Sequence, residues 1–303
     1  MSFELTILGS GAAVPTLNRA TTAQYVNCHQ RHILIDCGEG TQVQLRKFKI
    51  KLQQLSLILI SHLHGDHVFG LAGLLSTMHL LGRDKGITII GPEGIKSFLT
   101  NQFNSIGIKS LFEVNFIELT ENSSGIVFED KCICIRNFPL KHRVATHGYV
   151  IEEKPHKRKL LKDEFDKTGV SVSYISKLIQ GEDIKDNNGV IVKTDDVTIP
   201  GKPSKSYAFC SDTAYTTDII TYIKNVNLLY HEATFIDKES DRAQKTFHST
   251  AKQAATIALK ANVERLVLGH FSARYKTFDD HLNEAKSIFE ATFIPEDGER
   301  FIV

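Results

Sequence analysis

The chain has 303 residues, 42% hydrophobic and 23% charged, with a formal net charge of +1. That length suits one large domain or two small ones with a sizeable core, and the near-neutral balance excludes a polyanion partner held by whole-chain charge, leaving only local basic patches for that role. No apolar run approaches the ~18 residues of a membrane span, "MSFELTILGSG" has no secretory pattern, and five cysteines without a C-x-x-C pair predict reduced thiols in a cytoplasmic protein.

In chain order, short aliphatic and β-branched runs bounded by Gly, Asp, Asn and Ser predict strands at residues 3–8, 24–28, 33–36, 57–60, 87–90, 114–119, 133–138, 149–152, 207–210, 228–230 and 266–268. Amphipathic stretches predict helices over 40–48, 92–103, 248–261 and 278–291, the third capped by Ser249 or Thr250. Early strands lie close enough for hairpins and later ones alternate with helices, which predicts α/β layers. Residues 154–205 break the rhythm: they lack convincing strands and read as an inserted, partly helical excursion. The basic start of this segment, Lys154, Lys157, Arg158, Lys159 and Lys162, taken alone is a solvated helix face.

The run at 57–60 leads straight into "SHLHGDH", residues 61–67. His62 and His64 are two apart, so in an extended chain their imidazoles point the same way. A turn through Gly65 brings Asp66 and His67 in at the start of a helical pattern. Read singly, Asp66 is a helix cap and each histidine a loop residue; crowded behind an aliphatic strand, they suit zinc or a similar borderline metal. Further candidates end apolar runs downstream: His142 after "CICIRNFPLK", Asp212 after "SYAFCS" and His270 after "RLVLG". The carboxyl ends of strands are where α/β sheets place ligands.

The heptad resembles the signature of the metallo-β-lactamase superfamily. The wider set resembles ribonuclease Z, the family of endonucleases that trim the 3′ end of precursor tRNA. It comprises "LGSGAAVPTLNR", "LIDCGEGTQVQL", "SHLHGDHVFGLAGLL", "PLKHRVATHGYVI", "FCSDTAY", "HEATF", "FHSTA" and "LGHFSARY", in the family's order from residue 8 to 275. The resemblance implies a four-layer αββα sandwich, one metallo-β-lactamase-like hydrolase domain over residues 1–303 with a flexible tRNA-binding arm at about 154–205. It implies two Zn²⁺ per subunit, one on His62, His64 and His142, the other on Asp66, His67 and His270, with Asp212 bridging. A metal-bridging hydroxide would attack the phosphodiester and leave a 3′-hydroxyl, with Asp66 also accepting the water's proton.

By the same resemblance, Glu232 in "HEATF" and His248 in "FHSTA" form a proton-donor pair, and Asp36 in "LIDCGEGTQ" steadies a histidine behind the metals. Arg274 in "HFSARY" would reach a substrate phosphate. Arg19 matches the arginine of a family loop that approaches the tRNA end. Here Pro15 is followed by Thr16, Leu17, Asn18, Arg19 and Ala20, so the family's Lys and Asn are replaced. Lys157, Arg158 and Lys159 would supply salt-dependent phosphate contacts from the arm. That arm lacks the family's Gly-Pro pair, since Gly169 precedes Val170. A cytoplasmic homodimer acting on precursor tRNA is the implied assembly, with no membrane partner. His79 and His231 read as loop or core histidines. Two other readings use the same ligands: a small-molecule phosphodiesterase or sulfatase of the superfamily, and a non-catalytic module whose metal site would be closed and four-coordinate.

Overall fold

Along the strand Leu55–Leu59, Leu57 and Leu59 face one way and Ile58 the other, and all three are buried. A strand apolar on both faces must be covered on both, and that requirement sets the layers. The computed structural model describes residues 3–107 and 112–303. One sheet runs, edge to edge, through Arg300–Ile302, Phe3–Gly9, Ala23–Cys28, Arg31–Ile35, Leu55–Leu59, Ile87–Pro92 and Val114–Leu119. The other runs through Thr292–Phe293, Arg265–Gly269, Leu228–Glu232, Ser206–Cys210, His147–Glu153, Ile133–Pro139 and Gly125–Glu129.

The sheets meet face to face: Leu5, Ile7, Ile33, Leu57 and Leu59 share one core with Ile135, Tyr149, Tyr207, Phe209 and Tyr230. On the outer face of the first sheet, Leu34, Ile58 and Ile89 are covered by Leu74, Leu75 and Met78 of the helix Leu71–Leu80 and by Leu99 of Ile95–Ser105. On the second, Ala208, Leu229 and Leu268 are covered by Ala254, Ile257 and Ala258 of Ala251–Lys260 and by Ala285 of Asp279–Lys286. The order is therefore αββα, as expected.

Parallel pairing runs from Arg31–Ile35 to Val114–Leu119 in one sheet and from Ser206–Cys210 to Thr292–Phe293 in the other. Within these two sheets, three of the described strands escape the sequence pattern: Gly125–Glu129, Thr292–Phe293 and Arg300–Ile302. They lie at the ends of their sheets and are short or largely uncovered, so they carry little apolar alternation to read. The helical pattern that begins at Asp66 is two helices, Gly65–Val68 and Leu71–Leu80. The break comes at Gly70, whose N–H donates to the Cys37 carbonyl at 2.9 Å. A Cβ there would stand 2.1 Å from the Gly38 carbonyl oxygen, so only glycine fits.

Residues up to Glu152 together with Lys205–Val303 form one compact unit, and Glu153–Ser204 form a second. The second has a core of its own, with Phe165, Val170, Leu178, Ile184, Val192 and Val197. It also holds strands where none was expected: Lys159–Leu160 pairs with Thr198–Ile199, and Ile184–Lys185 with Ile191–Val192. Two-residue strands are too short to show period-2 alternation. Among the described residues no helix is long and apolar enough to cross a membrane, and no disulfide forms.

Candidate metal centre

Strand ends deliver most of the site. Asp36 follows Arg31–Ile35, the heptad follows Leu55–Leu59, Asp212 follows Ser206–Cys210, Glu232 closes Leu228–Glu232 and His270 follows Arg265–Gly269. Asp36, Asp212 and His270 have φ of 56°, 52° and 56°. That left-handed region is uncommon for side chains with a Cβ, and backbone strain of this kind gathers at functional sites.

The imidazoles and carboxylates converge in two clusters. In the first, His62 Nε2 lies 2.9 Å from His64 Nδ1 and 3.6 Å from Asp212 Oδ2. His142 Nε2 lies 3.4 Å from that His64 nitrogen and 3.8 Å from the same Asp212 oxygen. In the second, His67 Nε2 and His270 Nε2 are 3.4 Å apart, each 3.4 Å from Asp66 Oδ2, and 3.2 and 3.1 Å from Asp212 Oδ1. Ligands 2.0–2.2 Å from a tetrahedral zinc stand about 3.3–3.6 Å from one another. The separations, 2.9–3.8 Å in the first cluster and 3.1–3.4 Å in the second, lie around that spacing, and the Asp212 carboxylate gives one oxygen to each.

The outer ring nitrogens of His67, His142, His270 and His62 are held from behind. His67 Nδ1 is 2.7 Å from Asp36 Oδ2, His142 Nδ1 is 3.0 Å from the Phe247 carbonyl, His270 Nδ1 is 3.0 Å from Thr234 Oγ1 and His62 Nδ1 is 3.0 Å from Ser61 Oγ. A proton on each Nδ1 leaves the Nε2 lone pair aimed into its cluster. Asp36 is further fixed by the Ser61 N–H at 2.7 Å and hydroxyl at 2.9 Å. Burial works against the charge of Asp212, yet His270, His67 and His62 outweigh it and hold the carboxyl well below its usual range. Lone pairs packed this closely, around a buried carboxylate, are a donor set that fits metal cations.

Glu232 and His248 sit beside the clusters. Glu232 is fully buried, and its carboxylate accepts from the N–H groups of Thr213 (2.7 Å) and Ser249 (3.0 Å) and from the Thr234 hydroxyl (2.6 Å). Its Oε1 lies 2.9 Å from His248 Nδ1. Burial lowers the affinity of His248 for a proton, but the adjacent Glu232 charge reverses this and pushes its pKa up to about 9.

These groups open onto a cavity of about 630 Å³ whose wall includes His64, Asp66, His142, Asp212, His248, His270 and Arg274. Arg274 lies over the Phe235 ring, 5.1 Å from its centroid, and 3.5 Å from Glu239. Arg19 is placed elsewhere. Its guanidinium donates to Ser10 Oγ at 2.6 Å and to the Pro295 carbonyl at 2.7 Å, and packs over Phe278. It lines a neighbouring groove with Tyr275 and Lys276. Lys157, Arg158 and Lys159 belong to the second unit. Lys157 and Lys159 are exposed, while Arg158 pairs with Asp195 and donates to Thr198 Oγ1 at 2.6 Å. His79 is exposed, and His231 is buried with Nδ1 2.7 Å from the Glu232 carbonyl. Ser61, Thr234 and Phe247 were not singled out in the sequence. Ser61 and Thr234 stand inside quoted motifs, but a hydroxyl carries no pattern of its own, and Phe247 acts through its carbonyl.

A family model described as anti-Pycsar protein Apyc1 matches residues 3–143, a stretch that ends before Asp212, Glu232, His248 and His270. Among curated relatives, ribonuclease Z of Parabacteroides distasonis is 42% identical over 302 residues, covering 99% of each chain. Ribonuclease Z of Bacteroides fragilis is 41% identical over 296 residues, covering 98% of this chain and 97% of that one. Among solved structures, human tRNase Z, short form, superposes with a TM-score of 0.72 at 27% identity over 98% of both chains. The metallo-β-lactamase fold protein YhfI of Bacillus subtilis superposes with a TM-score of 0.70 at 17% identity over 100% of both, which speaks for the fold alone.

Proposed function

The chain belongs to the ribonuclease Z family, and from that premise we propose how its cavity cuts RNA. The protein is an endoribonuclease of the metallo-β-lactamase superfamily that removes the 3′ trailer from precursor tRNA. It is a metal-dependent hydrolase. We assign two zinc ions per subunit, one to His62, His64 and His142 and one to Asp66, His67 and His270, with Asp212 between them. The observation that carries this assignment is the Asp212 carboxylate, shared between two donor clusters of zinc-like spacing.

When bound, the ions supply a lowered pKa for the attacking water and positive charge against the phosphate oxygens. Asp66, which also takes the Ala13 N–H on Oδ2 at 2.7 Å, accepts the water's proton at the cavity wall. The products are a tRNA with a 3′-hydroxyl and a trailer with a 5′-phosphate, so the leaving atom is a ribose O3′. That oxygen leaves readily only if it gains a proton. His248 donates it as general acid, and Glu232 keeps the ring charged and oriented. Arg274 meets a non-bridging phosphate oxygen from the cavity wall. Asp36 holds His67 in its ligating tautomer.

The unit Glu153–Ser204 is read as a tRNA-binding arm inserted in the hydrolase domain, with Lys157, Arg158 and Lys159 on backbone phosphates. The working form is a cytoplasmic homodimer in which one subunit's arm presents tRNA to the other's cavity. The test is cleavage of a precursor tRNA carrying a 3′ trailer. Zinc-loaded protein releases a 3′-hydroxyl product cut just after the discriminator or the CCA; a chelator stops the reaction and zinc restores it. A precursor left intact by fully loaded protein would refute this function.

A further inference from the structure

A second hollow, of about 470 Å³, shares His248 with the catalytic cavity and is walled by Lys141, Tyr215, Asp241, Gln244 and Phe247. Tyr215 and Phe247 are each 36% exposed, large rings left facing water beside the candidate active site. Aromatic faces of this kind are platforms for nucleobases. Phe247 also has a φ of 60°, an outlying conformation for a bulky residue. Its carbonyl is the partner of His142 Nδ1. One residue thus orients a candidate ligand with its backbone and walls the second hollow with its ring.

The chemistry of cleavage selects the occupant. The bond that breaks joins phosphorus to O3′; the electron pair leaves with O3′ and the proton comes from His248. O3′ therefore lies within hydrogen-bond reach of His248 when the bond breaks. The ribose that carries O3′ is tethered at that point, and its base must go into space adjoining His248. Asp241 on the wall opposes a phosphate and Lys141 offsets it, so a neutral base is favoured over an anion.

We propose that this hollow binds the nucleoside on the O3′ side of the scissile phosphate, the last one of the trimmed tRNA, with its base against Tyr215 and Phe247. The inference rests on the ribonuclease reading and adds the direction in which RNA crosses the cavity. Single-turnover cleavage by the zinc-loaded full chain tests it, using three precursor tRNAs: one intact, one lacking the base just 5′ of the cleaved bond, and one lacking the base just 3′ of it. Tyr215→Leu should raise the half-saturating concentration about tenfold for the intact precursor, the order expected for one lost stack. The same loss should appear with the 3′ abasic precursor, and less than a twofold loss with the 5′ abasic one. Equal losses on all three, no loss on any, or a loss that vanishes only with the 3′ abasic precursor would overturn the assignment while leaving the ribonuclease intact. A wild-type enzyme that cuts none of the precursors overturns both.

Discussion

Asp212 gives one carboxylate oxygen to each donor cluster, so its removal should disturb both. Asp212→Ala is expected to lower bound zinc below two equivalents per subunit and to abolish cleavage, with metal content read by mass spectrometry. Unchanged metal content and cleavage in this variant would overturn the assignment of Asp212 to both clusters. Asp36→Asn leaves every ligand in place but weakens the grip on His67 Nδ1. Loss of such support typically costs about 10–100-fold in metal affinity, measurable by competition with a chelating dye. His248→Ala should slow cleavage by about 10²–10⁴-fold, the usual range for a general acid. A precursor with sulfur in place of the bridging O3′ needs no proton on its leaving group, so it should regain most of that loss. His248 is raised from 6.5 to about 9; it keeps its proton through neutral pH and loses it as pH rises through the raised value. Single-turnover rates should therefore fall on the alkaline side. Glu232→Gln removes the charge that raises His248, so the alkaline limb should move to lower pH; an unmoved limb would remove His248 from the role of acid.

At the scale of elements, the helix Ala251–Lys260 begins with a complete capping box between Thr250 and Gln253. Thr250→Ala should cost about 1 kcal/mol of stability, seen as a lower urea midpoint. This start was visible in the sequence because a cap is a local pattern: Ser249 or Thr250 just ahead of an amphipathic run. The break at Gly70 was not visible, because it depends on the approach of the Gly38 carbonyl from a distant loop. The core of Glu153–Ser204 was likewise hidden, since it is assembled from short, scattered apolar residues such as Phe165, Leu178 and Val197. Deleting that unit should weaken cleavage of precursor tRNA and flatten its salt dependence, while hydrolysis of bis(p-nitrophenyl) phosphate persists. An equal fall on both substrates would favour a small-molecule phosphodiesterase.

For the whole molecule, metal and fold should be coupled. The donors come from both sheets, so zinc binds the native arrangement far better than the unfolded chain. At a free concentration of a hundred times Kd it should add about 2.7 kcal/mol per site, seen as a higher Tm that a chelator reverses. Sedimentation at working concentration should give twice the chain mass if the homodimer is correct. The α/β layering, the heptad and its suitability for metal were legible from the order of residues alone. Strand alternation and a spacing of a few residues are governed by local backbone geometry. It took the folded chain to bring His67 and His270, 203 residues apart, to 3.4 Å from each other, to divide the oxygens of Asp212 between two clusters, and to set Arg19 away from the cavity in contacts of its own. Those relations depend on how two sheets pack, and packing is a property of many distant side chains acting together.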